Sequence, residues 1–266
     1  MTGPLLSDLE AGGVLMLTLN RPTARNAIDA GLRAALRAAF LQASGDAAVR
    51  AVVLAGAGGH FCAGGDIASM AAMSADDARS RMADVAETAH AVAACGKPVI
   101  ACVKGHAAGA GVGLALLCDE VVADHDARFT FSFVRLGLRP DWGLTATLPR
   151  RVGQAAAQRL VRDGAQVAAA AALQMQLIDH LAGGHDALSD ATDRAITLAA
   201  APAPAVAATK SRFHTPLAEL DAALAREGEA QARCFASPAF AARLAEFREK
   251  RRHRQDRKDL TEGKKK

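Results

Sequence analysis

Short apolar runs recur along the first half of the chain, each bounded by glycine, proline or charged residues. They predict β-strands over 14–19 (VLMLTL), 51–55 (AVVLA), 99–103 (VIACV) and 120–123 (EVVA), with 129–131 (FTF) as the expected partner of the last. Between them the pattern changes to helical spacing. One helix is expected over 31–43, capped by Asp29. A second starts at Asp76 and runs to Ala94, where Gly96-Lys97-Pro98 breaks it. The first four runs lie about 20 to 50 residues apart, too irregular for a sequence repeat, but strands separated by helices argue for an α/β fold. After about Pro149 the strand signal stops. The remainder is alanine-rich and helical in pattern, punctuated at Gly164, Gly183-Gly184, Pro202, Pro204, Pro216 and Pro238. We therefore expect a core over residues 1–200 and a helical segment over 201–266. That segment is too small to hold a core of its own, so it must dock on the main body or on a neighbouring subunit.

Composition narrows the class. With 51% hydrophobic and 23% charged residues in a chain of 266, the protein is globular rather than disordered. No charge-free apolar run reaches the roughly 18 residues of a membrane span. The opening MTGPLLSDLE has acids where a secretory signal needs a basic stretch, so cytoplasm is the expected compartment, with no membrane partner. Cys62, Cys95, Cys102, Cys118 and Cys234 form no CxxC pair and mostly sit in apolar segments, as reduced buried thiols do; no metal site is expected. The net charge of +4 conceals a basic end: residues 248–266 hold ten Lys/Arg against four acids, leaving the rest of the chain at −2. None of the ten aromatics is interleaved with that run, so it does not read as a nucleic-acid surface.

Two glycine-rich turns follow predicted strands. The first, His60-Phe61-Cys62-Ala63-Gly64-Gly65-Asp66-Ile67, has small residues that let a ligand approach bare amides, and its Asp66 is placed to cap a following helix. The second, Gly105-His106-Ala107-Ala108-Gly109-Ala110-Gly111-Val112-Gly113, opens a helix whose positive end suits a developing anion. Its spacing is G-x-G-x-G after the third strand. That is not the dinucleotide-binding spacing.

Taken together, LNRPTARNAID, FCAGGDI, KPVIACVKGHAAGAGVGLALLCDEVVAD, LGLRPDWG and FREKR resemble the crotonase superfamily, the enoyl-CoA hydratase/isomerase family, over nearly the whole chain. The resemblance implies a spiral of strand-strand-helix (ββα) units with a C-terminal helical trimerisation segment, assembled as a homotrimer or a dimer of trimers. It implies an acyl-CoA thioester substrate, as in fatty acid metabolism, with coenzyme A as part of the substrate and no tightly bound cofactor. By motif position, the amides of Gly65 and Ala110 form the oxyanion hole, where one lost donor typically costs about 10²- to 10³-fold in rate. The CoA is expected against the backbone around Arg25, Asn26 and Ala27 and around Ala63, Asp66 and Ile67, with Phe247 and Lys250 reaching it from the C-terminal helix and the cations of Arg25 and Lys250 on its phosphates.

One departure matters. The family's usual hydratases carry two glutamates, and the corresponding positions here are Gly113 and about Phe133, neither of which moves a proton. The acid left in the neighbourhood is Asp141, in Leu138-Arg139-Pro140-Asp141-Trp142-Gly143. Similar subfamilies place an aspartate there, against the acyl chain. A lone carboxylate can take a proton from one carbon and return it to another, and an apolar setting by Phe133 and Trp142 would raise its pKa toward that task. Isomerisation is the leading expectation. Hydration or thioester hydrolysis through water held by Asp141, an inactive CoA-thioester-binding paralogue, and a merely turn-stabilising Asp141 stay open. His60, His90 and His106 are the other titratable candidates. Cys62 reads as filler.

Overall fold

A computed structural model describes residues 3–67, 69–70, 73–184 and 186–249. Its backbone is the expected α/β class. A six-stranded sheet has the order β1 (Leu5–Leu9), β2 (Val14–Leu19), β3 (Ala51–Gly56), β4 (Val99–Val103), β6 (Glu120–Ala123), β9 (His180–Leu181), parallel except where β1 pairs antiparallel with β2. A second sheet joins β5 (His106–Ala108), β7 (Arg128–Thr130) and β8 (Gln166–Ala168). Strand β4 is buried throughout and β3 nearly so, which is why both read as unbroken apolar runs rather than alternating ones.

Helix α1 (Ala30–Gly45) begins as expected, with the Asp29 carboxylate accepting from Leu32 N at 2.8 Å. Helix α2 (Ala75–Ala93) starts one residue before Asp76 because the Ser74 hydroxyl takes the cap, accepting from Asp77 N at 3.1 Å. Then come α3 (Ala110–Leu116), α4 (Leu144–Val152), α5 (Gln154–Arg162), α6 (Ala169–Gln174), α7 (Ala187–Ala199), α8 (Ala203–Phe213), α9 (Leu217–Phe235) and α10 at residues 238–249. Helix α9 lies along α2 and carries buried Leu220, Leu224 and Phe235 into the main core.

Three local expectations fail. The run at 129–131 forms a strand one residue earlier but does not pair with β6. The turn from Asp124 to Ala127 sends it to the second sheet, between β5 and β8. Strands do continue after Pro149, as β8 and β9, but three and two residues are too short to leave a period. Asp66 caps no helix: among the described residues the next helix after it begins only at Ala75, and its carboxylate meets Arg21 at 2.9 Å.

Candidate active site

The two glycine turns are stitched backbone to backbone. Cys62 N donates to His106 O at 3.0 Å and Ala108 N to Cys62 O at 2.9 Å. This approach excludes side chains. A Cβ on Gly64, at φ +96°, would stand 2.6 Å from Ala108 O, and one on Gly111 would stand 2.5 Å from Cys62 O. The closure leaves Gly65 and Ala110 facing one cavity, and among the described residues neither N–H has an acceptor. Ala110 is the first residue of α3, where a free N–H is inherent in helix geometry.

That cavity, about 60 Å³, is walled by Met70, Met82, Val85, Phe133, Leu138, Trp142 and Phe235, with Asp141 and Arg81 as its charged members. Asp141 arrives on a turn in which Trp142 and Gly143 both adopt left-handed backbone, φ 58° and 70°. Left-handed backbone costs Trp142 about 1–3 kcal/mol and persists only where the surroundings enforce it. Here Glu227 of α9 enforces it. Its buried carboxylate accepts from Gly143 N (2.8 Å), Thr145 N (2.8 Å) and Thr145 Oγ1 (2.7 Å), bridging the turn to the N-terminus of α4. Gln231, one helical turn on, clasps both main-chain groups of Arg139 at 3.0 Å and donates to Asp141 Oδ2 at 3.2 Å.

Asp141 thus makes one long side-chain hydrogen bond, none to its own turn, and its buried Oδ1 has no partner among the described residues. Desolvation, reinforced by the negative charge of Glu227, pushes its carboxyl up to about 7 from an ordinary 3.8; Gln231, Arg81 and Arg139 pull the other way. At neutral pH the group is divided between base and acid. The position of Gly113 also becomes intelligible, because a Cβ there would stand 2.6 Å from Trp142 Cβ and 3.2 Å from Asp141 O. The turn that delivers the aspartate occupies the space a side chain at 113 would need.

A larger groove of about 820 Å³ adjoins the cavity, sharing Ala63, Gly65, Ile67, Ser132 and Leu136 with it. Arg25, Ala27, Ala63, Asp66, Ile67 and Phe247, all expected at a CoA site, line it together. Asn26 does not. It is fully buried, its amide donating to Ala57 O and His60 O and its Oδ1 accepting from Arg21 N, so it braces the loop. Lys250 lies outside the described residues. Arg21 is committed to Asp29 at 3.0 Å and to Asp66, whereas Arg25 and Arg135 have no carboxylate within 4 Å among the described residues. Two such cations in a groove suit phosphate groups.

Sequence reasoning missed Glu227, Gln231, Arg81 and Arg135; motif position carries no sign of them, since the first two sit in an ordinary helical stretch. The histidines stay outside the cavity. His90 Nδ1 meets the Asp221 carboxylate at 2.7 Å on the surface, and the rings of His60 and His106, one on each turn, lie tilted with centroids 5.2 Å apart and line no part of the cavity. Cys62 is fully buried, its thiol pushed up to about 12 by desolvation, so it offers no nucleophile. Among the described residues no cluster of His, Cys, Asp or Glu is placed to hold a metal ion, and no helix is long and apolar enough to cross a membrane.

Comparison with known proteins identifies the family. The sequence pattern of the family described as enoyl-CoA hydratase/isomerase matches residues 10–257. A probable enoyl-CoA hydratase of Rhodobacter capsulatus is 38% identical over 240 residues, covering 90% of this chain and 93% of the relative. One from Mycobacterium tuberculosis is 38% identical over 239 residues, covering 87% and 93%. The crystal structure of an enoyl-CoA hydratase/isomerase from Xanthobacter autotrophicus superposes with a TM-score of 0.86 at 28% identity, covering 94% of each chain.

Proposed function

This chain belongs to the enoyl-CoA hydratase/isomerase family and has the crotonase fold, and from that premise we propose that it is an enolate-forming enzyme on acyl-CoA thioesters, shifting a double bond with Asp141 as base and acid. One observation carries the reading: a carboxyl with its pKa raised to about 7 shares a small, largely apolar cavity with two amides that have no acceptor among the described residues. The thioester oxygen accepts from Gly65 N and Ala110 N. Ionised Asp141 removes a proton from carbon, the negative charge moves onto the thioester oxygen under the two amides, and protonated Asp141 returns the proton at a different carbon of the chain. A base near pKa 7 both accepts and releases at neutral pH. The CoA occupies the adjoining groove, with its phosphates on Arg25 and Arg135.

Hydration is the second reading, favoured because both relatives above are named probable enoyl-CoA hydratases. In it, Asp141 holds and activates a water. The two separate in heavy water. Mass spectrometry of a panel of enoyl-CoA and aryl-CoA thioesters should show deuterium gained without addition of water, and Asp141→Asn should lose about 10²- to 10⁴-fold in rate. Added water would establish the hydratase. Tight binding without turnover would mean a CoA-binding shell, and an unaffected Asp141→Asn would remove Asp141 from the chemistry.

We further propose a homotrimer or dimer of trimers in the cytoplasm. Helix α8 has no buried residue, Phe213 at its end is 81% exposed, and a groove of about 620 Å³ runs beside it past Leu198 and Val206. Apolar surface of this kind suits a subunit contact. Native mass spectrometry showing a monomer would refute it.

A further inference from the structure

Arg81 has no part in the proton transfer, yet among the described residues it is the one cation lining the acyl cavity. It sits half-buried on α2, its guanidinium 5.8 Å above the ring of Phe235. Other basic groups on α1 and α2 pair with carboxylates: Arg79 with Asp76 and Glu229, Arg33 with Asp84, Arg37 with Glu87, His90 with Asp221. Arg81 has no carboxylate within 4 Å among the described residues, although Asp141 lines the same cavity. Burial and the like charge of Arg33 bear on it unfavourably, while the more distant charges of Asp141, Asp66 and Asp84 offset this only in part. A cation taken out of water without a partner is costly. It is also a planar fork of donors matched to a carboxylate.

We propose that Arg81 is a specificity residue that receives a second carboxylate at the far end of a short acyl chain, so that the substrate class is ω-carboxylated short-chain acyl-CoA thioesters. The inference rests on the acyl-CoA reading above. The length limit follows from the cavity, about 60 Å³ where pockets for drug-sized ligands run to roughly 300–1,000 Å³. Apart from Asp141 and Ser132, the other described side chains that line the cavity are apolar, so Arg81 is the cation a carboxylate would meet there. Its pairing there would neutralise the cation, as no methyl-ended chain does.

The test uses four- to six-carbon 2-enoyl-CoA thioesters in matched pairs ending in carboxylate or methyl, with the saturated, unreactive pairs measured by titration calorimetry. The full-length protein should favour the carboxylated member of each pair at least tenfold in kcat/KM and in binding. Arg81→Met should cost the carboxylated member about 30-fold or more beyond its cost to the methyl member, the loss falling mainly on KM. Arg81→Lys should retain part of the preference. If Arg81→Met does not fold, the wild-type preference and its reduction in Arg81→Lys decide the matter. Equal treatment of both members, or equal losses on substitution, would overturn the assignment and leave the acyl-CoA reading standing. Failure to bind any of these thioesters would overturn both.

Discussion

Replacing Asp141 by asparagine should make the protein more stable at alkaline pH while removing its activity. The carboxyl lies at about 7 in the folded chain against an ordinary 3.8. Between those values the folded state holds the proton more tightly than the unfolded one, so stability falls as pH rises through the window from about 4 to 7. Above 7 the folded protein carries the whole penalty, about three pK units or at most about 4 kcal/mol. Asparagine fills nearly the same volume, keeps an oxygen for Gln231 Nε2 and never ionises. Its amide still has to find partners, so a net gain of about 2–4 kcal/mol is expected at pH 8, shrinking to near zero at pH 4. Urea unfolding of both proteins at matched concentration and at pH 4, 6 and 8 measures the difference directly, and pH effects common to both cancel. A variant less stable than wild type at pH 8, or a difference that does not change with pH, would refute the reasoning and favour a turn-stabilising Asp141. The expected result is a stability cost retained for chemistry.

Other substitutions test the surrounding frame. Glu227→Gln removes a negative charge that raises the pKa of Asp141, so the ionised base persists further into acid. The acid limb of the kcat/KM profile should move to lower pH, with about 1–3 kcal/mol of stability lost because a carboxylate with three donors is replaced; a shift toward alkaline pH would contradict the coupling. Gly113→Glu, which puts a glutamate where the usual hydratases have one, should gain no hydration activity and should lower the melting temperature, since its Cβ meets that of Trp142 at 2.6 Å. Ala110→Pro deletes one N–H at a first helical position, where proline is tolerated. A rate loss of about 10²- to 10³-fold with unchanged circular dichroism is expected, and full activity would exclude Ala110 N from the oxyanion site.

Much of this protein was legible before any coordinates, and the reason is locality. The apolar runs at 14–19, 99–103 and 120–123 become β2, β4 and β6 with the same bounds, because a buried parallel strand needs little beyond its own few side chains and a bounding turn. Asp29 caps α1 from the adjacent position, and the small residues at Gly64 and Gly111 announce a close backbone approach without naming the partner. Asp141 could be singled out because the expected glutamates are replaced by Gly113 and Phe133. What no window of sequence contains is what faces what. Glu227 and Gln231 stand 84 and 90 residues from the groups they hold, in a helix whose pattern reads as ordinary amphipathic surface. Arg81 is one more arginine until α9 brings Phe235 beneath it and the cavity closes around both. Strands β8 and β9 owe their existence to partners rather than to propensity. Desolvation and charge proximity depend on which distant segments pack together, so the tertiary structure alone decided that the Asp141 carboxyl titrates near 7 and that Gly113 has no room for a glutamate.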